Sequence, residues 1–506
     1  MKKIYLAFLV GALAFSCRER ISAPGPVNAT FEKISSTKIG GEAAAEITAF
    51  DPITNQLFIV NNSEGLSQVD VVDFSDPKNL LVKTPIDISV FGGGVNSVAV
   101  KNGKLAVAIE AFTKTDPGFI VVFETTDLSS PIANVTVGAL PDMVIFSPDG
   151  RYIVSANEGE PNDDYTIDPE GSVSIIDTQM AFQVTTLDFS PFENQQAALE
   201  ENGFRIFGPN ASFAQDIEPE YVTIDPSSDF AWVTLQENNG IAKVDLNSKT
   251  ITDIFPLGLK DHMLDGNKID ASDRDGIDGN FQNWPILAYY MPDAIETFQV
   301  GKTNYLITAN EGDTRDYDGY GEEERVKDLT LDPTAFPNAE WLQEDENLGR
   351  YTATTSKGDV DGDGDFDKIY GIGGRSFSIW DSSTGKLVRD YPNLAADLLA
   401  ANPSLFDDGR SDNKGVEPEG VEIGYVNGKT LVFIGLERSD AIMVYQLNGP
   451  SNLKFLQLLD GISGIGDGGH DAPEGLLFIP AEESPTKRAL FIVSSEGDGK
   501  ITVYQN

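Results

Sequence analysis

One pattern recurs along the chain and limits its fold more than any other feature: an apolar strand, a turn, a second strand ending in a small residue and Glu, then a third strand. The third copy is the clearest. Residues 143–147 read as a strand, Pro148-Asp149-Gly150 as a hairpin turn, 152–156 as the second strand, Asn157-Glu158-Gly159 as a loop and 173–177 as the third strand. Asp149-Gly150 supplies the positive φ that a tight hairpin demands, which fixes the turn there. The same order returns at 47–73, 98–123, 222–246, 295–331, 351–380, 421–447 and 476–504, making eight units. Most are followed by a further β-prone run, as at 80–86, 133–137, 250–255, 387–391 and 453–459. Four antiparallel strands per unit describe a propeller blade. The expectation is an all-β chain forming a single β-propeller with eight blades counted. Seven stays open because the fifth unit is irregular, and a tandem of sandwiches is the competing architecture. The last unit stops after its third strand, at Asn506. Residues 31–39, ahead of the first unit, can supply its outer strand and close the ring without an open sheet edge.

Charge narrows the function. With 80 Asp and Glu against 36 Lys and Arg, the formal net charge is -44, and nucleic acid is set aside as a partner because its phosphates would be repelled. The N-terminus carries Lys2-Lys3, an apolar run over 4–15 and then Ser16-Cys17, which reads as a signal peptide too short to span a membrane. Ala14-Phe15-Ser16-Cys17 resembles a bacterial lipobox, so Cys17 would become the lipidated first residue; ordinary secretion with an incidental cysteine is the alternative. Cys17 is the only cysteine, so no intramolecular disulfide or thiolate metal site is expected. The expected organisation is a lipoprotein signal peptide at 1–16, a tether at 17–28 and the propeller domain at 29–506. Such a chain would be an exported bacterial lipoprotein of the cell envelope, at the outer membrane or cell surface, held to the membrane through the lipid on Cys17.

Acids gather at two positions of the repeat that open on one face. Strand one is preceded by Pro141-Asp142, Pro219-Glu220, Pro292-Asp293, Pro418-Glu419-Gly420 and Pro473-Glu474-Gly475, with Glu46 at the matching place in the first unit. The loop after strand two carries Glu64, Glu110, Glu158, Glu237, Glu311, Glu437 and Glu496, with Arg375 in the sixth unit and Asp313 beside Glu311. In a propeller these positions meet around one channel mouth, as a metal or ligand site or as caps on backbone amides of neighbouring blades. The long insertions at 160–170, 191–217, 261–285, 313–324, 393–417 and 461–471 map to the same face.

Asp359-Val360-Asp361-Gly362-Asp363-Gly364-Asp365-Phe366-Asp367 places five carboxylates at alternate positions around glycines, the donor set a Ca2+ ion requires. Tyr370 stands where an EF-hand would have its bidentate Glu, so the motif is similar instead to the calcium loop of integrin-type propeller blades. It is expected in a blade hairpin on the face opposite the mouth, stapling a short blade. The aspartate-rich stretch 261–278 lacks this spacing and is a weaker calcium candidate.

Four blocks carry a family resemblance: Ala309-Asn310-Glu311-Gly312-Asp313 with Glu324-Arg325-Val326-Lys327-Asp328; Gly373-Gly374-Arg375-Ser376-Phe377-Ser378-Ile379-Trp380-Asp381; Ser411-Asp412-Asn413-Lys414-Gly415; and Glu417-Pro418-Glu419-Gly420. Over nearly all its exported length the chain resembles the choice-of-anchor I proteins, which are similar to mesenchyme-specific cell-surface glycoproteins. The resemblance implies a WD-like surface domain found with varied anchors. Some relatives carry an alkaline phosphatase label or are joined to metallophosphatase domains, and no single shared activity is implied.

Two functions are expected from these residues. The first is a calcium-binding interaction module whose ligand is a glycan, a protein or a phosphate ester. The alternative is a calcium-dependent phosphomonoesterase, with catalytic candidates Arg375 as phosphoryl clamp, Glu311 as a metal-holding carboxylate and His470 as general acid or base, assisted by Arg325 and Arg438. His262 and His470 are the only histidines, which excludes a histidine-rich zinc site. The glycine-rich run 464–469 lacks the Lys and the strand-to-helix setting of a phosphate loop.

Overall fold

Each repeat hairpin closes on its apolar alternation, and the hairpins assemble into blades of antiparallel strands arranged around a channel. The structure is a computed structural model that describes residues 29–461 and 469–506. The expectations for the signal peptide, Cys17, the tether and most of the glycine-rich run lie outside those residues.

Blade 3 shows the plan: Pro141–Phe146, Tyr152–Asn157, Ser172–Asp177 and Gln183–Asp188 pair in that order from the channel outward. The innermost strands of successive blades are Ala44–Asp51, Val95–Lys101, Pro141–Phe146, Pro219–Ile224, Ile295–Val300, Pro418–Val426 and Pro473–Ile479. Each packs against the next, and the last packs back on the first, so the ring closes with seven blades. Gly475 allows that final approach, because a Cβ there would lie 2.1 Å from the Glu46 carbonyl oxygen.

The count of eight is corrected to seven. The fifth and sixth sequence units share one blade: Ile295–Val300 and Thr303–Asn310 supply its two inner strands, and Ser376–Asp381 and Leu387–Tyr391 its outer two. Asn310 pairs with Ser376 and Tyr305 with Asp381. Between them the chain leaves the blade to build a five-stranded sheet with Glu323–Arg325, Thr352–Thr354 and Ile369–Gly371, joined by Leu259–Asp261 and Ile286–Tyr289 from the preceding connection. Strand propensity and turn spacing are the same in an insertion sheet as in a blade, so periodicity alone counted it as a unit.

Blade 7 closes as expected. Glu32–Lys38 pairs antiparallel with Lys500–Gln505, joining the two ends of the described chain in one sheet. Phe31 clamps this closure: it is buried against Phe433, Phe478 and Phe491 at centroid separations of 5.4, 6.5 and 6.3 Å. Phe31→Ala is expected to lower unfolding free energy by about 3–5 kcal/mol, measured by denaturant melts, because the cavity opens where the ring is latched.

Candidate cation site at the channel mouth

The repeat builds the mouth with a local device. Register shifts interrupt the pairing of the innermost strands between Pro141 and Met143, Pro219 and Val222, Pro418 and Val421, and Pro473 and Leu476. A bulge re-aims one side chain, and Pro is tolerated there because it has no N–H to contribute to the ladder. The bulged positions hold Asp142, Glu220, Glu419 and Glu474. Before the proline, Leu140, Met291, Glu417 and Ala472 take φ of 45°, 49°, 49° and 48°. A non-glycine residue in the left-handed region costs about 1–3 kcal/mol, and its repetition at one point of four blades marks a site over-determined by its surroundings.

The first ring has one member per blade: Glu46, Asn96, Asp142, Glu220, Asp293, Glu419 and Glu474. Asn96, which sequence reasoning missed, donates from Nδ2 to the Pro141 carbonyl at 3.1 Å and replaces the acid in blade 2. Val95-Asn96-Ser97 lacks the Pro-acid signature, although it stands at the matching place before its strand. A cavity of about 270 Å3 is lined by Asp142, Glu158, Glu220, Asp293, Glu311 and Asp313, together with Glu419 and Glu474. Oε2 of Glu220, Glu419 and Glu474 is buried without a hydrogen-bond partner among the described residues, as is Oε2 of Glu237, a residue only 6% exposed.

Electrostatics follow from that crowding. Burial, then neighbouring carboxylates, hold Glu220, Asp293, Glu419 and Glu474 well above the usual carboxylate range. Burial also pushes Glu46 up to about 8, with Glu496 adding to it, and Asp142 up to about 7, with Glu160 adding to it. In the second ring, burial raises Glu158, Glu237, Glu311 and Glu496, and lifts Glu437 to about 7. Glu110 is raised by burial too, although Lys114 opposes the shift. Glu64 is exposed in its turn and lies outside the lining of the mouth cavity.

Basic side chains serve the rim. Lys414 Nζ donates to Glu311 Oε1 at 2.9 Å and to Asp313 Oδ1 at 2.8 Å, while Gln236 donates to the other Glu311 oxygen at 3.0 Å. Glu417, fully buried, pairs with Arg410 and with Arg438, which also reaches Glu437 at 3.1 Å. Glu311, Glu417 and Glu437 bring carboxylate oxygens within 4.8 Å of one another, but these cations already face them. No three carboxylates of the first ring come that close among the described residues.

Two catalytic expectations are corrected. Arg375 donates from Nη1 to the carbonyls of Asp270 and Ser411, both at 2.9 Å, and from Nη2 to that of Asn413. Arg325 donates to the carbonyls of Arg350 and Asp412 and pairs with the Asp412 carboxylate at 2.9 Å. Both guanidiniums therefore pin the loop that presents Lys414, where a phosphoryl clamp would need them free. His470 is buried on blade 7, with Nε2 2.8 Å from the Tyr504 hydroxyl, and burial depresses its pKa to about 3. Turned into the blade on Tyr504 and outside the lining of the mouth cavity, His470 is not placed to act as the general acid or base expected of it. His262 is likewise buried and depressed to about 3, with Nδ1 2.6 Å from the Asn267 carbonyl.

The calcium motif sits elsewhere than expected. It joins Thr352–Thr354 to Ile369–Gly371 inside the insertion, so it belongs to no blade hairpin. Asp359 accepts the backbone N–H groups of Gly362, Asp363 and Gly364, which curls the loop. Its acids fall into two trios with oxygens within 4.8 Å: Asp359, Asp361 and Asp363, and Asp365 and Asp367 with Asp332. Oxygens of one Ca2+ shell, each about 2.3–2.6 Å from the ion, span such separations, so both donor sets fit. Asp332 was missed because it lies outside the motif. In the stretch 261–278, Asp270 and Asp275 accept hydrogen bonds from their own loop and Asp273 pairs with Arg350, which assigns them to folding.

Glu296 and Glu422 were also missed. Their carboxylates accept backbone N–H groups of Thr297 and of Ile423 and Phe478, and burial raises both, Glu296 to about 7. A signal existed: only Pro292-Asp293-Ala294-Ile295-Glu296 and Pro418-Glu419-Gly420-Val421-Glu422 repeat an acid three residues after the first.

These features define a seven-bladed β-propeller with a carboxylate-lined channel mouth. The chain belongs to the choice-of-anchor I domain family, whose pattern it matches over residues 46–450. It is 30% identical over 190 residues to Gigasin-3a of Magallana gigas, a match covering 32% of this chain and 66% of that protein's length. Among solved structures it is similar to Kuenenia stuttgartiensis hydrazine synthase, at 12% identity and TM-score 0.48, covering 95% of this chain and 99% of that one. It is also similar to the WD40 domain of Toxoplasma gondii coronin, at 9% identity and TM-score 0.46, covering 94% and 87%. No helix among the described residues is long and apolar enough to cross a membrane.

Proposed function

We propose that this propeller is a calcium-stiffened interaction module of the cell surface, whose channel mouth receives a positively charged group of its ligand. One observation carries the reading: the first-ring carboxylates come from six blades, those of Glu220, Glu419 and Glu474 with a buried, unpartnered oxygen, and the charges acting most on Glu220, Asp293, Glu419 and Glu474 are all negative. Buried anions lacking partners are costly unless a proton or cation joins them. Export with a lipid on Cys17 would display the mouth at the cell envelope. A calcium-dependent phosphomonoesterase is the lesser reading, since Arg375 is bound to three carbonyls and Glu311 already holds Lys414.

Methylammonium is the simplest probe of the mouth. It should raise the melting temperature of the wild type above that in equimolar sodium at pH 8, and should leave Glu220→Gln/Glu419→Gln/Glu474→Gln unchanged; equal stabilisation of both proteins contradicts the reading.

Calcium belongs in this proposal at Asp359, Asp361, Asp363, Asp365 and Asp367, aided by Asp332. Chelation is expected to lower the melting temperature, and Asp363→Ala to reproduce much of that loss. A protein indifferent to both would have no calcium in this loop.

A further inference from the structure

Below the acid ring the channel changes character. A second cavity of about 260 Å3 is walled by Ile145, Leu477, Phe478 and other residues of the innermost strands, with Thr48, Tyr221 and Glu483 also in its lining. Ile47, Ser97, Met143, Tyr221 and Leu476 line both cavities, so the polar mouth and the apolar tunnel adjoin along the channel. The innermost strands alternate around this passage, and blades 1, 2, 3 and 7 place aliphatic residues where blades 5 and 6 carry Glu296 and Glu422.

A site of this shape selects by two criteria. The upper part presents unpartnered oxygens of Glu220, Glu419 and Glu474, with Glu237 buried beside them, and these can only accept hydrogen bonds once ionised. Their spacing does not gather a tight trio such as a bare divalent ion needs, because no three first-ring carboxylates place oxygens within 4.8 Å among the described residues. A –NH3+ group needs no such trio, because two carboxylates can take two of its donors and water the third. The chain supplies its own precedent: Lys414 sets an ammonium between Glu311 and Asp313, at 2.9 and 2.8 Å, on the rim of the same cavity. In the lower part Glu483 is the one charged residue of the lining, and the apolar wall at Ile145, Leu477 and Phe478 rewards burial of methylenes.

We infer that the channel binds a free aliphatic amine, with its ammonium held between carboxylates of the ring that includes Glu220, Glu419 and Glu474 and its hydrocarbon chain directed down the tunnel past Met143 and Leu476. This inference rests on the reading of the mouth as the ligand site and adds the ligand's chemical class. It separates amines by chain length, which a simple cation site would not do.

The test is calorimetric titration of the full protein at pH 8 with methylamine, hexan-1-amine and hexan-1-ol. Hexan-1-amine should bind roughly tenfold or more tighter than methylamine, since each buried methylene adds to affinity, and hexan-1-ol should bind far more weakly than the amine. Glu220→Gln/Glu474→Gln should remove amine binding. Leu477→Asn, in the wall of the lower cavity alone, should erase the chain-length gain. Equal affinity for methylamine and hexan-1-amine overturns the inference while leaving the mouth as a cation site. Binding of neither amine to the folded wild type overturns both readings, and no change in the Glu220→Gln/Glu474→Gln protein overturns the placement. The wild-type series is decisive without any variant, so a misfolded mutant does not blunt it.

Discussion

Raising the pH from 6.5 to 8.5 in the absence of added cations should lower the melting temperature, by an amount on the order of 5 °C. The sign follows from proton counts. In the unfolded chain the acids titrate near 3.8 and 4.5, whereas in the fold burial holds Asp142 and Glu437 at about 7 and Glu46 at about 8. Between those limits the folded state binds more protons than the unfolded state, so stability falls as pH rises through the folded values. The two buried histidines act oppositely, mainly below about pH 7.5, because both are depressed to about 3 in the fold while an unfolded imidazole is still half protonated at its ordinary value of 6.5. Starting at pH 6.5 therefore leaves a small opposing contribution from the histidines, outweighed by the larger number of raised carboxylates. Lys114 opposes the shift of Asp142, and Arg438 that of Glu437, so removing either base should steepen the decline. Glu220→Gln/Glu419→Gln/Glu474→Gln should flatten it and melt above the wild type at pH 8.5. A differential scanning series across this range checks both statements.

Arg315→Met should destabilise the protein by about 3–5 kcal/mol, because it strands two buried anions. Arg315, 1% exposed, donates to Asp216 Oδ1 at 2.6 Å and to the Asp216 carbonyl at 2.8 Å, and pairs with Glu218 at 3.1 Å. Arg205, fully buried, makes the companion pair with Glu322, and the two guanidiniums lie 4.0 and 4.4 Å from the Phe207 ring centroid on which both stack. Arg315 and Glu322 belong to the insertion, and Arg205, Asp216 and Glu218 to the connection between blades 3 and 4, so these pairs fasten the insertion to the ring. Hydrogen exchange should accelerate first in Glu323–Arg325 and Thr352–Thr354. Lys at 315 should not rescue, since one ammonium cannot reproduce the planar fork. Arg315→Met/Asp216→Asn/Glu218→Gln should recover part of the loss, because it removes the stranded charges along with the guanidinium.

Much of this arrangement was legible in the sequence, and the failures have physical causes. Alternating strands and Asp149-Gly150 turns announced blades, and the short last repeat announced closure by the N-terminal strand, because pairing partners follow from local pattern and from the need to cover edges. The blade count failed where Thr352–Thr354 and Ile369–Gly371 imitate a hairpin, since repeat spacing carries no record of which strand is the neighbour. At the mouth, Pro-acid dipeptides located five of the first-ring members, whereas Asn96 lacked the signature and Glu64 had the position without the burial. The basic residues were misjudged for one reason. Arg325 and Arg375 stand in acid-rich, family-typical blocks, but their donors are taken by carbonyls distant in sequence, which only tertiary packing reveals. His470 misled similarly: beside Asp471 in sequence, it turns into the blade and meets Tyr504.

A crystal structure of the protein grown with hexan-1-amine at pH 8 tests the central claim most directly. The amine nitrogen is expected within hydrogen-bond distance of at least two of the carboxylates of Glu220, Glu419 and Glu474, with Lys414 still seated on Glu311. A mouth that holds only water at saturating amine would contradict it.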